Sequence, residues 1–383
     1  MRFLRPLYRG ARDLPFFVAD TILLTVKSPR RQAGLVCLIR LDNIGDFFLW
    51  LDAARQLRDF YHGRKIVLVA NRTFADFAQT LPYWDEVVPV DVTGLEWRLA
   101  YRWTMFGMLH GMGVETVVHP VFSRVFLTGD AVVRILGAEN RIGSAGNLNN
   151  IAGWEKEISD RWYTSLVPAS PEPMMELERN AEFLRGLGLP PKPVSVVRLS
   201  EPAGRRKARR FEFPYFVLFA GASWPGRVWP FDFFVQCADE VHARHGWRAV
   251  ICGGPADMQN AELIRKGINS HQALSVAGAT DLIELVELIC GAQVLIGNET
   301  SGIHIAAAVG TPSVCILGGG HFGRFLPYAE SVEGVKPMAV FHRMACYGCN
   351  WNCSQPHVQG EAVSCIRSVG VQDVMLALDR ALQ

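Results

Sequence analysis

"GNETSGIHIAAAVGTPSVCILGGG", Gly297 to Gly320, decides how the chain is read. An apolar run, Ala292 to Gly297, gives way to a polar knot and then to a small-residue helix that begins near Gly302, with His304 one turn in. A strand that turns directly into a helix leaves the helix's first backbone N–H groups unpaired, and the helix dipole adds positive potential there. Such a junction suits an anion, phosphate above all. Thr300 and Ser301 are N-cap candidates, and Gly302 would let a ligand approach the main chain closely. The same residues also describe a helix that is merely well capped, with nothing bound.

Outward from this junction, strand-like and helix-like runs alternate. In the C-terminal half Phe216 to Phe219, Arg248 to Cys252, Leu274 to Ala277 and Ser313 to Leu317 read as strands. Trp229 to His245, Ala256 to Ile268 and Asp281 to Cys290 read as the helices between them. The N-terminal half repeats the pattern. Leu35 to Leu41, Lys65 to Ala70, Glu86 to Val90 and Glu115 to His119 are strands, and Phe47 to Tyr61, Leu95 to His110, Ser123 to Leu136 and Met175 to Leu187 are helical. Between the halves, Gly188 to Tyr215 is rich in Pro and Arg, lacks a period and reads as a linker. The expected fold is therefore α/β, two doubly wound Rossmann-like domains facing across a cleft, with ligands at the carboxyl ends of the strands. The expected division is an N-terminal basic and apolar extension (1–32), a first domain (33–195), a linker (196–214) and a second domain (215–383) with a Cys-rich segment and a terminal helix.

Composition narrows the function. At 383 residues the chain outgrows a single core, and a net charge of +2 gives no case for nucleic acid. Nine cysteines, most in apolar runs, suit a reducing compartment, hence the cytoplasm. The extension carries Arg2, Arg5, Arg9 and Arg12, then the apolar stretch Leu14 to Val26, then Lys27, Arg30 and Arg31. That stretch is too short to span a bilayer and lacks a signal-peptide cleavage site. It reads either as an interfacial helix on anionic lipid or as a helix packed on the first domain. The basic run Arg205 to Arg210 is either a solvated linker or a second contact with an anionic membrane.

Two more segments belong with the opening one. Arg40-Leu41-Asp42-Asn43-Ile44-Gly45-Asp46 closes the first strand and sets Asp46 at a helix start, as a cap or as a functional carboxylate. "FAGASWPGRVWP", Phe219 to Pro230, places Arg227 after the first strand of the second domain, either solvated or beside a diphosphate. In this order the three resemble glycosyltransferase family 9, the heptosyltransferase-like enzymes of lipopolysaccharide assembly. Arg40, Gly45 and Asp46 match the family's R-x-x-x-x-G-D, and Arg227 to Pro230 match its K/R-x-W-P. Asn298 through Ala308 match N/D-D-T-G-x-x-H-x-A-A-A, followed by Gly310-Thr311-Pro312. "RIGSAG" (Arg141 to Gly146) and "GGP" (Gly253 to Pro255) add to the likeness, which runs from about Leu35 to the C-terminus. Three positions depart: Glu299 stands where Asp is common, Ser301 where Gly is usual, and Arg227 where Lys is frequent.

The resemblance implies the GT-B fold and an inverting, metal-independent glycosyltransferase, with heptose from ADP-heptose the leading donor and a lipopolysaccharide core or related surface glycan the acceptor. No Asp-x-Asp triplet is present to clamp a diphosphate through metal, and no cofactor is expected. Asp46 would be the catalytic base. Arg227, Glu299, Thr300, Ser301, Gly302, His304 and Gly253 would serve the donor, with His304 otherwise a helix His bonded to a carbonyl. On the acceptor side, Asn43 lies beside Asp46, and Arg124 would meet an acidic group. The acceptor would be lipid-linked or an oligosaccharide, met in the cytoplasm or at the inner face of the cell membrane. Cys346, Cys349, Cys353 and Cys365 form C-x2-C-x3-C with a distant fourth thiol, either reduced thiols or a structural zinc site. A nucleotide-sugar epimerase of the same build and a non-catalytic nucleotide-sugar or glycan-binding protein are the rival readings.

Overall fold

The computed structural model describes residues 4–26, 31–199, 211–270 and 272–383, with side chains in the first helix from residue 13 onward. The chain divides into two units, Met1–Glu172 with Arg179–Lys192, and Pro173–Glu178 with Pro193–Gln383. The basic run Arg205 to Arg210 lies outside the described residues.

In the first unit, β1 (Val36–Arg40), β2 (Ile66–Asn71), β3 (Glu86–Val90), β4 (Thr116–His119), β5 (Asn140–Ser144) and β6 (Ser165–Val167) form one parallel sheet in the order β3-β2-β1-β4-β5-β6. β1 is buried at every position, as a strand covered on both faces by helices must be. The helices are α1 (Leu4–Leu23), α2 (Ile44–Phe60), α3 (Arg72–Gln79), α4 (Val92–Trp97), α5 (Leu99–His110), α6 (Ala131–Leu136), α7 (Gly153–Asp160) and α8 (Glu176–Gly186), the last crossing the boundary between the units. Aromatic side chains lock α2 against α3, with Phe47 stacked on Phe74 at 4.2 Å and Phe48 on Phe77 at 5.2 Å.

The second unit repeats the plan. Its strands are β7 (Tyr215–Phe219), β8 (Arg248–Cys252), β9 (Leu274–Ser275), β10 (Leu295–Asn298), β11 (Ser313–Ile316) and β12 (Met338–Val340), in the order β12-β11-β10-β7-β8-β9. α9 (Phe231–His245), α10 (Met258–Gly267), α11 (Leu282–Gly291), α12 (Ser301–Val309), α13 (Ser364–Arg367) and α14 (Val371–Ala381) accompany them. Counted within each unit, both sheets run 3-2-1-4-5-6, the dinucleotide-fold order, whose switch point lies between the first and fourth strands. That puts the ends of β1 and β4, and of β7 and β10, where a ligand is held.

Two helices expected from periodicity are interrupted. The run Leu95 to His110 breaks at Arg98, whose extended backbone separates α4 from α5 while its guanidinium pairs with Asp91. Ser123 to Leu136 opens instead as a loop and a π-helical turn, Phe126–Asp130, before α6. α1 is docked on the first unit by a buried double hydrogen bond, Arg102 donating to both oxygens of Asp20 at 2.8 and 2.6 Å. No helix among the described residues is long and apolar enough to cross a membrane.

Candidate active site

Asp46 sits in the first turn of α2, half-buried, directly after β1. The turn that carries it is held from two strands. Arg40, fully buried at the end of β1, donates to the main-chain carbonyl of Asp46 at 3.1 Å and pairs with Asp42 at 2.9 Å. From β2, Asn71 donates to the carbonyl of Asp42 at 2.9 Å. Arg40 thus engages the backbone of Asp46, not its carboxylate. Asn43 is the N-cap residue of α2, exposed, and makes no side-chain cap bond.

In the second unit, the loop after β7 and the junction after β10 are tied together by Asn298. Its side chain accepts from the Trp229 N–H at 3.0 Å and donates to the Ala220 carbonyl at 2.7 Å, in a buried setting. Leaving either group unpaired there would cost about 1–3 kcal/mol. Arg227, in the 3-10 turn Pro225–Arg227, donates to the Glu299 carbonyl at 2.6 Å and to the Ser223 hydroxyl at 3.2 Å, and lies over the Trp351 ring at 4.8 Å. Thr300 is the N-cap residue of α12, yet its hydroxyl makes no cap bond and turns back to the Asn298 carbonyl at 3.3 Å. The helix start at Ser301 and Gly302 is therefore uncapped by its own side chain and has a guanidinium beside it, the combination that binds phosphate.

Gly302 earns its place for a different reason than close approach of a ligand. A Cβ there would stand 2.7 Å from the Phe219 ring, and one on Gly297 would stand 2.5 Å from the Phe219 carbonyl. Both glycines let α12 and β10 pack on β7. Gly253, at the end of β8, is similarly crowded, its virtual Cβ 2.7 Å from Asp257.

Glu299 is 5% exposed, and neither carboxylate oxygen has a hydrogen-bond partner; Arg227 Nη2 lies 3.6 Å away. Burial pushes its pKa up to about 7, with Arg227 pulling the other way. Because the folded value is raised, the group favours folding at pH below its ordinary carboxylate value, and that contribution is lost as pH rises through 7. Glu299→Gln is accordingly expected to stabilise the chain by up to roughly 3 kcal/mol at pH 8 and by little at pH 4, read by denaturant unfolding at both values. A variant less stable at pH 8 than at pH 4, relative to the parent, would contradict this electrostatic picture.

His304 is buried, with Nδ1 2.8 Å from the Tyr328 hydroxyl, and burial lowers its pKa to about 4. At neutral pH it is an uncharged ring held by Tyr328, so it brings no positive charge to a leaving group. Arg124 is likewise not presented to solvent. It is buried, pairs with Asp160 and, at 3.6 Å, with Asp130, and lies over the Tyr163 ring. The Tyr163 hydroxyl in turn donates to Asp130 at 2.6 Å and lies 2.7 Å from His119. Burial and the charges of Arg124 and Arg40 lower the pKa of His119 to about 3, so this network around the end of β4 holds a neutral imidazole.

Cys346, Cys349, Cys353 and Cys365 do converge, lining one small pocket with Met344 and Trp351. Among the described residues, however, no group of three or more His, Cys, Asp or Glu side chains is disposed to hold a metal ion. Burial raises the Cys365 thiol, which accepts from the Gly319 N–H at 3.5 Å. The four are free thiols lining an apolar pocket.

Residues 131–346 match the model of glycosyltransferase family 9 (heptosyltransferase), more than half of the chain. The chain belongs to glycosyltransferase family 9. Lipopolysaccharide heptosyltransferase 3 of Escherichia coli is 30% identical over 196 residues, 49% of this chain and 55% of the relative. Lipooligosaccharide heptosyltransferase 2 of Haemophilus ducreyi is 32% identical over 91 residues, 23% of this chain and 26% of the relative. This family 9 chain thus spans about half the length of the first of these curated relatives and about a quarter of the second. The structure of E. coli ADP-heptose lipopolysaccharide heptosyltransferase II superposes with a TM-score of 0.66 at 17% identity, covering 91% of this chain and 98% of that one. A family 9 protein of Veillonella parvula gives 0.67 at 16% identity, covering 93% and 99%. The fold of the family, GT-B, is the fold of this chain.

Missing from the sequence reading were Asn298 as the tie between the two loops, Trp351 beneath Arg227, and Tyr328 against His304. Arg40 was matched to the motif without a role, and its burial at the end of an apolar strand was the one signal that could have given it one.

Proposed function

We propose that the chain is an inverting glycosyltransferase that moves heptose from ADP-heptose to a lipopolysaccharide core or related surface glycan. The observation that carries this reading is Arg227 bonded to the Glu299 carbonyl at the uncapped start of α12, a diphosphate cradle in the nucleotide-binding unit. Family membership and the names of the matched relatives support the donor and acceptor classes.

In this mechanism Asp46 takes the proton of the acceptor hydroxyl as its oxygen attacks the anomeric carbon from the face opposite the nucleotide. The C–O bond to the diphosphate breaks as the new bond forms, through an oxocarbenium-like transition state, and the configuration inverts. Charge growing on the departing ADP is met by Arg227, the Thr300 hydroxyl and the N–H groups of Ser301 and Gly302. Gly253, packed against Asp257 at the end of β8, serves the donor side, and Glu299 moderates Arg227. Asn43 contacts the acceptor next to Asp46, whereas Arg124 acts through the buried Asp130–Tyr163–His119 network. The diphosphate charge is carried by protein groups, so no divalent cation is needed. The acceptor is lipid-linked, and the chain meets it as a peripheral protein at the inner face of the cell membrane.

The test is transfer from ADP-heptose to heptose-deficient lipopolysaccharide, followed by mass spectrometry with and without EDTA. A product one heptose heavier by mass, with the inverted anomeric configuration by NMR and at an unchanged rate with EDTA, is expected. Abolition by EDTA would remove the metal-independent step, and sugar conversion without acceptor would replace the transferase with an epimerase.

A further inference from the structure

α1 buries one face on the first unit and leaves the other bare. Asp13 and Asp20 turn inward, the latter onto Arg102, and Phe17 stacks against Phe126 and Trp162. On the outer side Leu14, Val18 and Ile22 follow one another at helical spacing, and beside them Leu99 and Trp103 project from α5. All five are exposed, from 44% at Leu99 to 60% at Leu14, and together they line one open, almost wholly apolar groove. A contiguous apolar face of this kind on a soluble unit marks an interaction surface.

The sequence around the patch says what covers it. Residues 1–31 hold seven basic side chains and two acidic ones. The two acids, Asp13 and Asp20, are buried, and the segment's formal charge is positive. A second copy of the chain would bring like charges together, whereas an anionic lipid surface would attract them. Trp103, half-exposed at the groove, has the amphipathic ring that settles at the headgroup level of a bilayer.

We propose that the outer faces of α1 and α5 form one lipid-docking surface for anionic phospholipid, with α1 fixed in the interface plane by the Asp20–Arg102 clamp. The surface is wider than the N-terminal helix alone, because α5 supplies half of it. That it serves a lipid-linked acceptor rests on the transferase reading; partition onto lipid does not.

The full chain is floated with vesicles of phosphatidylcholine alone and with vesicles containing about one third phosphatidylglycerol. It is expected to rise with the anionic vesicles, less so in about 0.5 M salt. Leu99→Ser with Trp103→Ser is expected to weaken binding about tenfold or more, with the melting temperature kept. Leu263→Ser, an equally exposed apolar residue on α10 of the other unit, leaves flotation unchanged. A parent chain that stays unbound to both vesicles overturns the proposal, as does a double variant that floats like the parent. A dimer that the double variant dissociates, without flotation, reassigns the patch to a second copy and overturns it too. Flotation without heptose transfer overturns the transferase reading alone, and transfer to a water-soluble acceptor without flotation overturns this surface alone.

Discussion

Asp46→Asn is expected to slow heptose transfer by about 10²- to 10⁴-fold, the range a positioned general base supplies. The substitution keeps the shape of the side chain and removes its capacity to take a proton. It leaves the surrounding turn intact, because Arg40 holds the main-chain carbonyl of residue 46 and the carboxylate of Asp42, and Asn71 holds the Asp42 carbonyl. The loss therefore falls on kcat at saturating donor, with an unchanged melting temperature. A variant that transfers at the parent rate would remove Asp46 from the chemistry, and one that melts much earlier would show the residue to be a helix cap.

The second large effect is expected at Arg227. Arg227→Met preserves length and packing over Trp351 but removes the charge and the donors at the start of α12. Losing one preorganised group that meets developing charge costs about 10²- to 10³-fold in kcat. The variant also leaves Glu299 buried without its cation, so that carboxyl becomes protonated at neutral pH instead of remaining an uncompensated charge. Arg227→Lys keeps the charge and loses the planar fork, and is expected to fall between parent and Arg227→Met. Steady-state rates of the three proteins with varied ADP-heptose check the order. Equal rates for Arg227→Met and the parent would mean that the diphosphate is held elsewhere.

Most of the framework was legible because parallel strands covered on both faces are written as unbroken apolar runs. β8 was read at its full extent, Arg248 to Cys252, from such a run. β5 was missed as a strand, since Asn140-Arg141-Ile142-Gly143-Ser144 is polar and sits near the sheet margin, where burial is incomplete. The break at Arg98 was invisible because no Pro or Gly marks it; Arg98 takes an extended backbone there and pairs with Asp91 at the other end of α4. In the site, Asp46, Arg227 and Thr300 could be located from strand-to-helix junctions alone. What those junctions cannot reveal is how far each side chain is already committed. His304 reads as a donor-facing ring or a helix His bonded to a carbonyl until Tyr328, two dozen residues on, is folded against it. Arg124 reads as a free charge until Asp130 and Asp160 converge on it. The pairings of His304 with Tyr328 and of Arg124 with Asp160 join segments distant in sequence, with no local period to announce them.

The central claim is a division of labour: the first unit handles the acceptor's proton and the second binds the donor. Calorimetric titration of ADP-heptose into Asp46→Asn and Arg227→Met tests it most directly. Asp46→Asn should bind within about twofold of the parent, and Arg227→Met at least about tenfold more weakly, as loss of a charged partner to a diphosphate requires. Donor affinity lost in Asp46→Asn and kept in Arg227→Met would contradict the assignment.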